Sequence, residues 1–323
     1  MEKRSSRNQN GPILRLVEKL IRFFRNYRQW SNKTFIAVLL IAVAISMALA
    51  LLVEGLKGFP LTSSSTTVVS QTADSKEKNT ETEQETSARI MANGDLLYHD
   101  IIYISAKKAD GTYDFHENFE YVKPWLKQAD LVIGDFEGTV NKDHYLAGYP
   151  LFNAPGEVMD AIKDAGYQVL DLAHNHILDS QIEGVVSTAD AIEKAGMTPI
   201  GVYTHEPRDK TPIVIKEVNG IKVALLAYSY GFNGIEQSIS QEDYNRYLSD
   251  LDEDKMKAEI ERAEKEADIT IIMPQMGVEY QIEPTEEQKK LYHKMIDWGA
   301  DIIFGGHPHV VEPAETVEKD GDK

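Results

Sequence analysis

Five short segments concentrate the residue types that bind cations or move protons. They are Asn93-Gly94-Asp95, Gly134-Asp135-Phe136-Glu137-Gly138, His174-Asn175-His176-Ile177-Leu178-Asp179, Gln275-Met276-Gly277-Val278-Glu279-Tyr280 and Gly305-Gly306-His307-Pro308-His309. Carboxylates, an amide and several imidazoles brought to one point would suit a divalent metal such as Zn, Mn or Fe. Taken singly, most have a plainer reading. Gly94-Asp95 reads as a turn with a helix cap. Asp135 and Glu137 are compatible with solvated loop acids, and His176 with a hydrogen-bonded core histidine. The His307-Pro308-His309 unit is harder to assign to packing, because two histidines flank a proline directly after two glycines.

The surrounding pattern says what must position these groups. Strand-like apolar runs fall at 88–93, 129–134, 167–173, 198–203, 211–218, 222–229, 267–274 and 300–306. Helical spacing of apolar residues falls near 118–128, 156–165, 181–195, 253–266 and 285–298, and several of these helices stop at a glycine, as at Gly166, Gly196 and Gly299. Alternating strands and helices predict a mainly parallel sheet clothed in helices. Asn219-Gly220 between two adjacent runs predicts a β-hairpin, so the sheet is expected to be mixed. Each polar segment follows a predicted strand, and ligands of α/β sheets bind beyond the carboxyl ends of strands.

In order and composition the five segments resemble the CapA/PgsA family of poly-γ-glutamate capsule synthesis proteins, which is similar in fold to calcineurin-like metallophosphoesterases. The resemblance covers residues 88–323 and implies a layered α/β/β/α domain with a metal site. It implies metal ligation by Asp95, Asp135, Asn175, His307 and His309, with His176 and Asp179 as catalytic candidates. His99, Glu137, Gln275 and Glu279 are further candidates. Two departures stand out. The Asp-x-His partner of the first motif is missing because position 97 is Leu97, leaving His99 as a substitute. Gln275 stands where such proteins often carry histidine, and an amide oxygen is a weaker ligand than imidazole for a borderline metal. Relatives of this kind usually continue with another strand after a stretch like 310–317, so the resemblance also implies a C-terminally truncated domain.

The rest of the chain concerns location. Phe35 to Val53 carries no charge and is long enough to cross a hydrocarbon core of roughly 30 Å. Residues 1–33 hold nine Lys or Arg against two Glu, whereas the whole chain of 323 residues is at −18, which leaves about −25 on the remainder. A basic flank stays in the cytoplasm, so the expected organisation is a cytoplasmic amphipathic leader (1–33), a transmembrane helix (34–54), an extracytoplasmic linker rich in Ser, Thr and Glu (55–87), and the domain outside the cell. A cleaved signal peptide is the alternative, but the apolar run and the leader are both long for one. The leader's alternation of apolar and basic residues from Ile13 to Trp30 would suit membrane lipid. With no cysteine, the external domain must rest on its core rather than on disulfides. Its acidity argues against nucleic acid as a partner.

Two functions of different class follow from this reading. One is a subunit of capsule polymer synthesis or export, with other synthase subunits and anionic polymer as partners. The other is a surface metal-dependent phosphoesterase. Both require the domain outside the cell. On intact cells, external protease is expected to degrade residues 54–323, and protection of the domain until lysis would contradict the topology.

Overall fold

The apolar runs become eight short strands because their side chains alternate between two buried faces. The structure, a computed structural model, describes residues 86–318. The expected leader, the expected membrane span and nearly all of the expected linker lie outside these residues. Among the described residues no helix is long and apolar enough to cross a membrane.

One sheet holds β1 (Ile90–Asp95), β2 (Leu131–Asp135), β3 (Val169–Asp171) and β4 (Thr198–Ile200), in that order and all parallel. The other holds β5 (Val214–Val218), β6 (Ile221–Ser229), β7 (Ile269–Gln275) and β8 (Ile302–Ile303), antiparallel between β5 and β6 and parallel thereafter. The β5–β6 turn is the expected two-residue hairpin. Val218 pairs with Ile221, and Asn219 and Gly220 both sit in the left-handed region at φ 53° and 84°.

Period-two alternation builds three apolar layers. Leu131, Ile133, Val169, Val223, Leu225, Ile271 and Met273 form one cluster drawn from both sheets. The opposite faces of the same strands carry Val132 and Leu170 on one sheet, and Leu226 and Ile272 on the other. Val132 and Leu170 cluster with Val158 and Ile162 of α3 (Val158–Ala165) and Val185 and Ile192 of α4 (Gln181–Lys194). Leu226 and Ile272 cluster with Met256 and Ile260 of α6 (Glu253–Glu266) and Leu291 and Met295 of α7 (Glu286–Trp298). Two sheets therefore share one buried layer, with helices on the outer face of each. Local signals set the helix ends: Asp252 caps α6, Thr285 and Gln288 form a capping box on α7, and Gly299 stops α7 at φ 121°.

Several boundaries differ from the sequence expectation. Asn93, Gly94 and Asp95 lie within β1, where the register slips between Ala92 and Asp95, rather than in a loop beyond it. The helix expected over 118–128 is a 3₁₀ turn (His116–Phe119) followed by the one-turn α2 (Lys123–Leu126), with Pro124 in its first turn. The strand expected over 300–306 is reduced to two residues, and the stretch 311–318 forms no strand, although Glu312 accepts from Gln288 and Glu315 lies against His293. Two short helices had no visible periodicity, α1 (Asp100–Ala106) and α5 (Gln241–Tyr247).

The shared layer predicts where the fold is most sensitive. Ile133 is completely buried between the sheets. Ile133→Ala is expected to lower unfolding free energy by about 2–5 kcal/mol, read from urea midpoints. A loss near zero would mean that the two sheets do not depend on this layer.

Candidate metal centre

The layer between the sheets is apolar along most of its length and turns polar at one end. On β2 the inward residues run Leu131, Ile133, Asp135; on β3 they run Val169, Asp171; on β7 they run Ile271, Met273, Gln275; and on β6 they end at Ser229. Strand periodicity thus carries carboxylates and an amide into the position where an apolar residue would continue the core. Asp135, Asp171 and Gln275 are all buried. Asp135 sits directly beside Asp171 in the β2–β3 register.

The loops complete the centre. Oxygen or nitrogen atoms of Asp95, Glu137 and His309 lie within 4.8 Å of one another. His309 Nδ1 is 2.5 Å from Asp95 Oδ2. His307 lies 6.1 Å from His309 between ring centres, and its Nδ1 is buried without a hydrogen-bond partner. The His-Pro-His turn holds both histidines in left-handed backbone, at φ 92° and 57°. For residues other than glycine that is a strained conformation, of a kind that clusters at functional sites. Gly306 is fixed by space: a Cβ there would fall 2.4 Å from Gln275 Oε1 and 3.2 Å from Asp135 Oδ2. The same closeness places Gln275 in the centre, with its Nε2 3.4 Å from Asn175 Oδ1.

His176 and Asp179 form a separate pair at the edge. His176 Nδ1 is 2.7 Å from Asp179 Oδ2, which also accepts the Phe152 N–H at 2.6 Å. The Phe152 ring stands edge-on to His176 at 4.7 Å. With Nδ1 held by a carboxylate, His176 offers Nε2, which lies 3.8 Å from Glu137 Oε1. His99 is not among the converging groups; it packs edge-on against Phe152 at 4.8 Å. Glu279 is exposed and acts on the centre through its charge at Glu137, His307 and His309.

The electrostatics reflect crowded acids. Burial, then the charges of Asp171, Asp95 and Glu137, push the Asp135 carboxyl well above the ordinary range. Burial and the Asp95 charge push Glu137 up to about 8, and burial pushes Asp171 up to about 8. Burial works to raise Asp95 too, but its hydrogen bond with His309 and the charge of that imidazole hold it below the usual value. The same hydrogen bond raises His309. Burial lowers His174 to about 3 and so keeps it neutral.

These residues fit a divalent cation. Asn93 Oδ1, Asp95 Oδ1, Asp135 Oδ1, Glu137 Oε2 and Gln275 Oε1 are buried and lack hydrogen-bond partners. Several unpartnered buried oxygens from strands of both sheets are costly unless a positive charge satisfies them. Oxygen and imidazole donors together suit Mn, Fe or Zn more than a thiolate-seeking ion. Asp171 was hidden in the apolar run 167–173, although its place on the inward side of that alternation marks it. Two aromatic neighbours, Tyr230 at 4.7 Å from His307 and Tyr280 at 5.7 Å from His309, were also not singled out for this role.

Fold and centre together define an α/β protein with a carboxylate–imidazole site at the open end of two packed sheets. Over residues 89–321 the chain matches the bacterial capsule synthesis protein family PGA_cap, and it belongs to that family. It is 32% identical over 210 residues to a "Capsule biosynthesis protein CapA" of Bacillus anthracis, covering 62% of this chain and 50% of that protein. It is 31% identical over 202 residues to a "PGA biosynthesis protein CapA" of Bacillus subtilis (strain 168), covering 61% and 52%. A more distant relative, the uncharacterized protein y4sH of Sinorhizobium fredii, is 23% identical over 156 residues, covering 46% and 32%. The chain spans about half the length of the Bacillus relatives it matches.

The raised carboxyls give a pH dependence of definite sign. Glu137 and Asp171 titrate from ordinary values of 4.5 and 3.8 in the unfolded chain to about 8 in the folded one. Between those limits these two groups hold more protons in the folded state, so the stability they contribute is greatest at low pH and is lost as pH rises toward about 8. Without added metal, the melting temperature is expected to drop from about pH 5 to about pH 8. Glu137→Gln with Asp171→Asn should flatten that slope, and a divalent ion should oppose it. A melting temperature that climbs over this range would overturn the charge assignment.

Proposed function

We propose that this chain is a membrane-tethered, extracytoplasmic component of capsule synthesis or export, engaging a poly-γ-glutamate-type polymer through a divalent metal centre. The observation that carries the reading is the match to the capsule synthesis family over 89–321, which spans all five polar segments. The names of the two Bacillus relatives support the same polymer class. The uncharged run at 35–53 and its basic flank support the tether and the outward orientation. Two helix-covered sheets with acids and histidines at their carboxyl ends support a metallophosphoesterase-like domain.

In this reading Asp95, Asp135, Asn175, His307 and His309 hold the ion, with Glu137, Asp171 and Gln275 at its border. When bound, the ion supplies Lewis acidity at neutral pH. The remaining work falls to the chain's own groups. Asp179 fixes the His176 ring so that Nε2 can deliver a proton to a leaving group. With about −25 of charge beyond residue 33, a polyanion is drawn to the domain through the ion rather than through a basic groove. Other capsule subunits and membrane lipid are the expected partners.

The second reading, a metal-dependent phosphoesterase, is favoured by the His176–Asp179 pair beside Glu137. Gln275 tells against a second tightly held ion, because its amide oxygen replaces an imidazole.

Deleting the gene in its capsule-forming host and restoring wild type, His307→Ala or His309→Ala tests both readings. The deletion is expected to remove surface glutamate polymer. The two variants should restore less of it than wild type does, and each purified variant should hold less metal. Surface polymer that survives the deletion would sink the capsule role, and unchanged metal content in both variants would sink the centre. Turnover of bis(p-nitrophenyl) phosphate by wild type that is lost in His176→Ala would select the phosphoesterase reading.

A further inference from the structure

The loop after β6 brings one side chain to both halves of the centre. Ser229 and Phe232 anchor this loop, each almost wholly buried, with Phe232 edge-on to Tyr244 at 5.8 Å. Asn233 and Gly234 follow at φ 54° and 80°, and these two left-handed residues turn the chain back over the site. Asn233 itself is exposed, so core packing does not account for it. Asparagine is one of the few residues besides glycine that takes this backbone conformation readily.

Its amide uses both ends. Oδ1 accepts from Asn175 Nδ2 at 3.3 Å. Nδ2 lies 3.4 Å from Nδ1 and 3.4 Å from Nε2 of His176. Nδ2 thus contacts the ring midway between its two nitrogens. It braces the ring while Asp179 keeps Nδ1. The Asn175 end has a longer reach. With its Nδ2 engaged by Asn233, Asn175 has its Oδ1 free to accept from Gln275 Nε2 at 3.4 Å. With its nitrogen so occupied, Gln275 leaves Oε1 buried and unpartnered beside Asp135 and Gly306. Three amides in series therefore set which end of Gln275 faces the centre.

We propose that Asn233 is a positioning residue: its acceptor end, acting through Asn175, turns the Gln275 oxygen toward the metal centre, and its donor end braces the His176 ring. This rests on the metal-centre reading above. A carbonyl oxygen can ligate a cation and an N–H₂ cannot, so the polarity of the amide series matters to binding as well as to packing.

Two variants separate the two ends. Asn233→Gly keeps the backbone conformation and removes the whole amide. Asn233→Asp keeps the shape and the acceptor but removes the donor. Each is made in the full-length chain, labelled with 15N-histidine, and titrated with Mn(II). Asn233→Gly is expected to weaken Mn(II) binding by about tenfold, as loss of an outer partner of metal ligands does. Asn233→Asp should bind within about twofold of wild type, since the acceptor that orients Asn175 and Gln275 survives. Both variants should shift the His176 ring signals, which a purely structural loop residue would leave in place. Equal loss of affinity in the two variants would overturn the amide series. Unchanged His176 signals in both would overturn the brace. If Asn233→Gly does not fold, Asn233→Asp still decides, because it must combine near-normal affinity with a shifted His176. Wild type that binds no Mn(II) would defeat the metal reading itself, and the His176 signals would then decide the brace alone.

Discussion

Carboxylates buried side by side repel one another, and much of this domain is arranged around that repulsion. Asp135 and Asp171 occupy neighbouring positions on adjacent strands, and Asp95 and Glu137 stand within charge range of Asp135. An isolated cluster of this kind would open the sheets to water or take up protons. Here it is tolerated because the apolar layer behind it, from Leu131 and Val169 across to Leu225 and Ile271, clamps the two sheets together. The acids sit where that layer ends, so the core supplies the rigidity and the strand ends supply the charge. A cation at this point would convert the least favourable part of the structure into a cross-link between the sheets.

The backbone shows the same constraint. His307 and His309 accept left-handed conformations that few side chains adopt, and Gly306 has no room for a side chain against Gln275 and Asp135. The irregular register of β1 turns Asp95 to meet His309. Each of these local costs brings a donor atom closer to the same point. That convergence distinguishes the centre from a set of acids that happen to share a surface.

Against the pattern that the five segments resemble, this chain offers a different set of donor atoms. Leu97 and Gln275 remove two imidazoles that the resembling pattern would supply, and His99 does not replace the first, because it packs against Phe152 instead. Asp171 and Glu137 add carboxylates close by. The result is an oxygen-rich donor set in which histidine enters mainly from the turn after β8. Such a set leans toward harder ions than an all-imidazole site does. It also makes the amide series of Asn233, Asn175 and Gln275 matter, because a glutamine contributes only when its oxygen faces inward.

All eight strands were legible in the sequence, since alternation and β-branched runs follow from side chains that must leave water on two faces. The hairpin at Asn219-Gly220 was legible because few other pairs accept two left-handed residues in succession. The five polar segments could be placed at strand ends for the same reason, and the His-Pro-His unit could be picked out by composition. Asp171 was obscured because an acid inside an apolar run looks like part of the strand until its inward neighbours Val169 and Ala173 are seen to face the other sheet. Asn233 carried no signal, because nothing in Tyr230-Gly231-Phe232-Asn233-Gly234 says that this loop returns over residues 57 and 58 positions earlier. His99 and Glu279, eligible by type, lie off the point of convergence. By itself the sequence determined the elements, their order and the chemical types at their ends, which are local properties of periodicity and turn chemistry. Tertiary structure decided which of those groups meet and which atom of each faces inward, because those depend on strand register, sheet packing and backbone conformation between residues far apart in the chain.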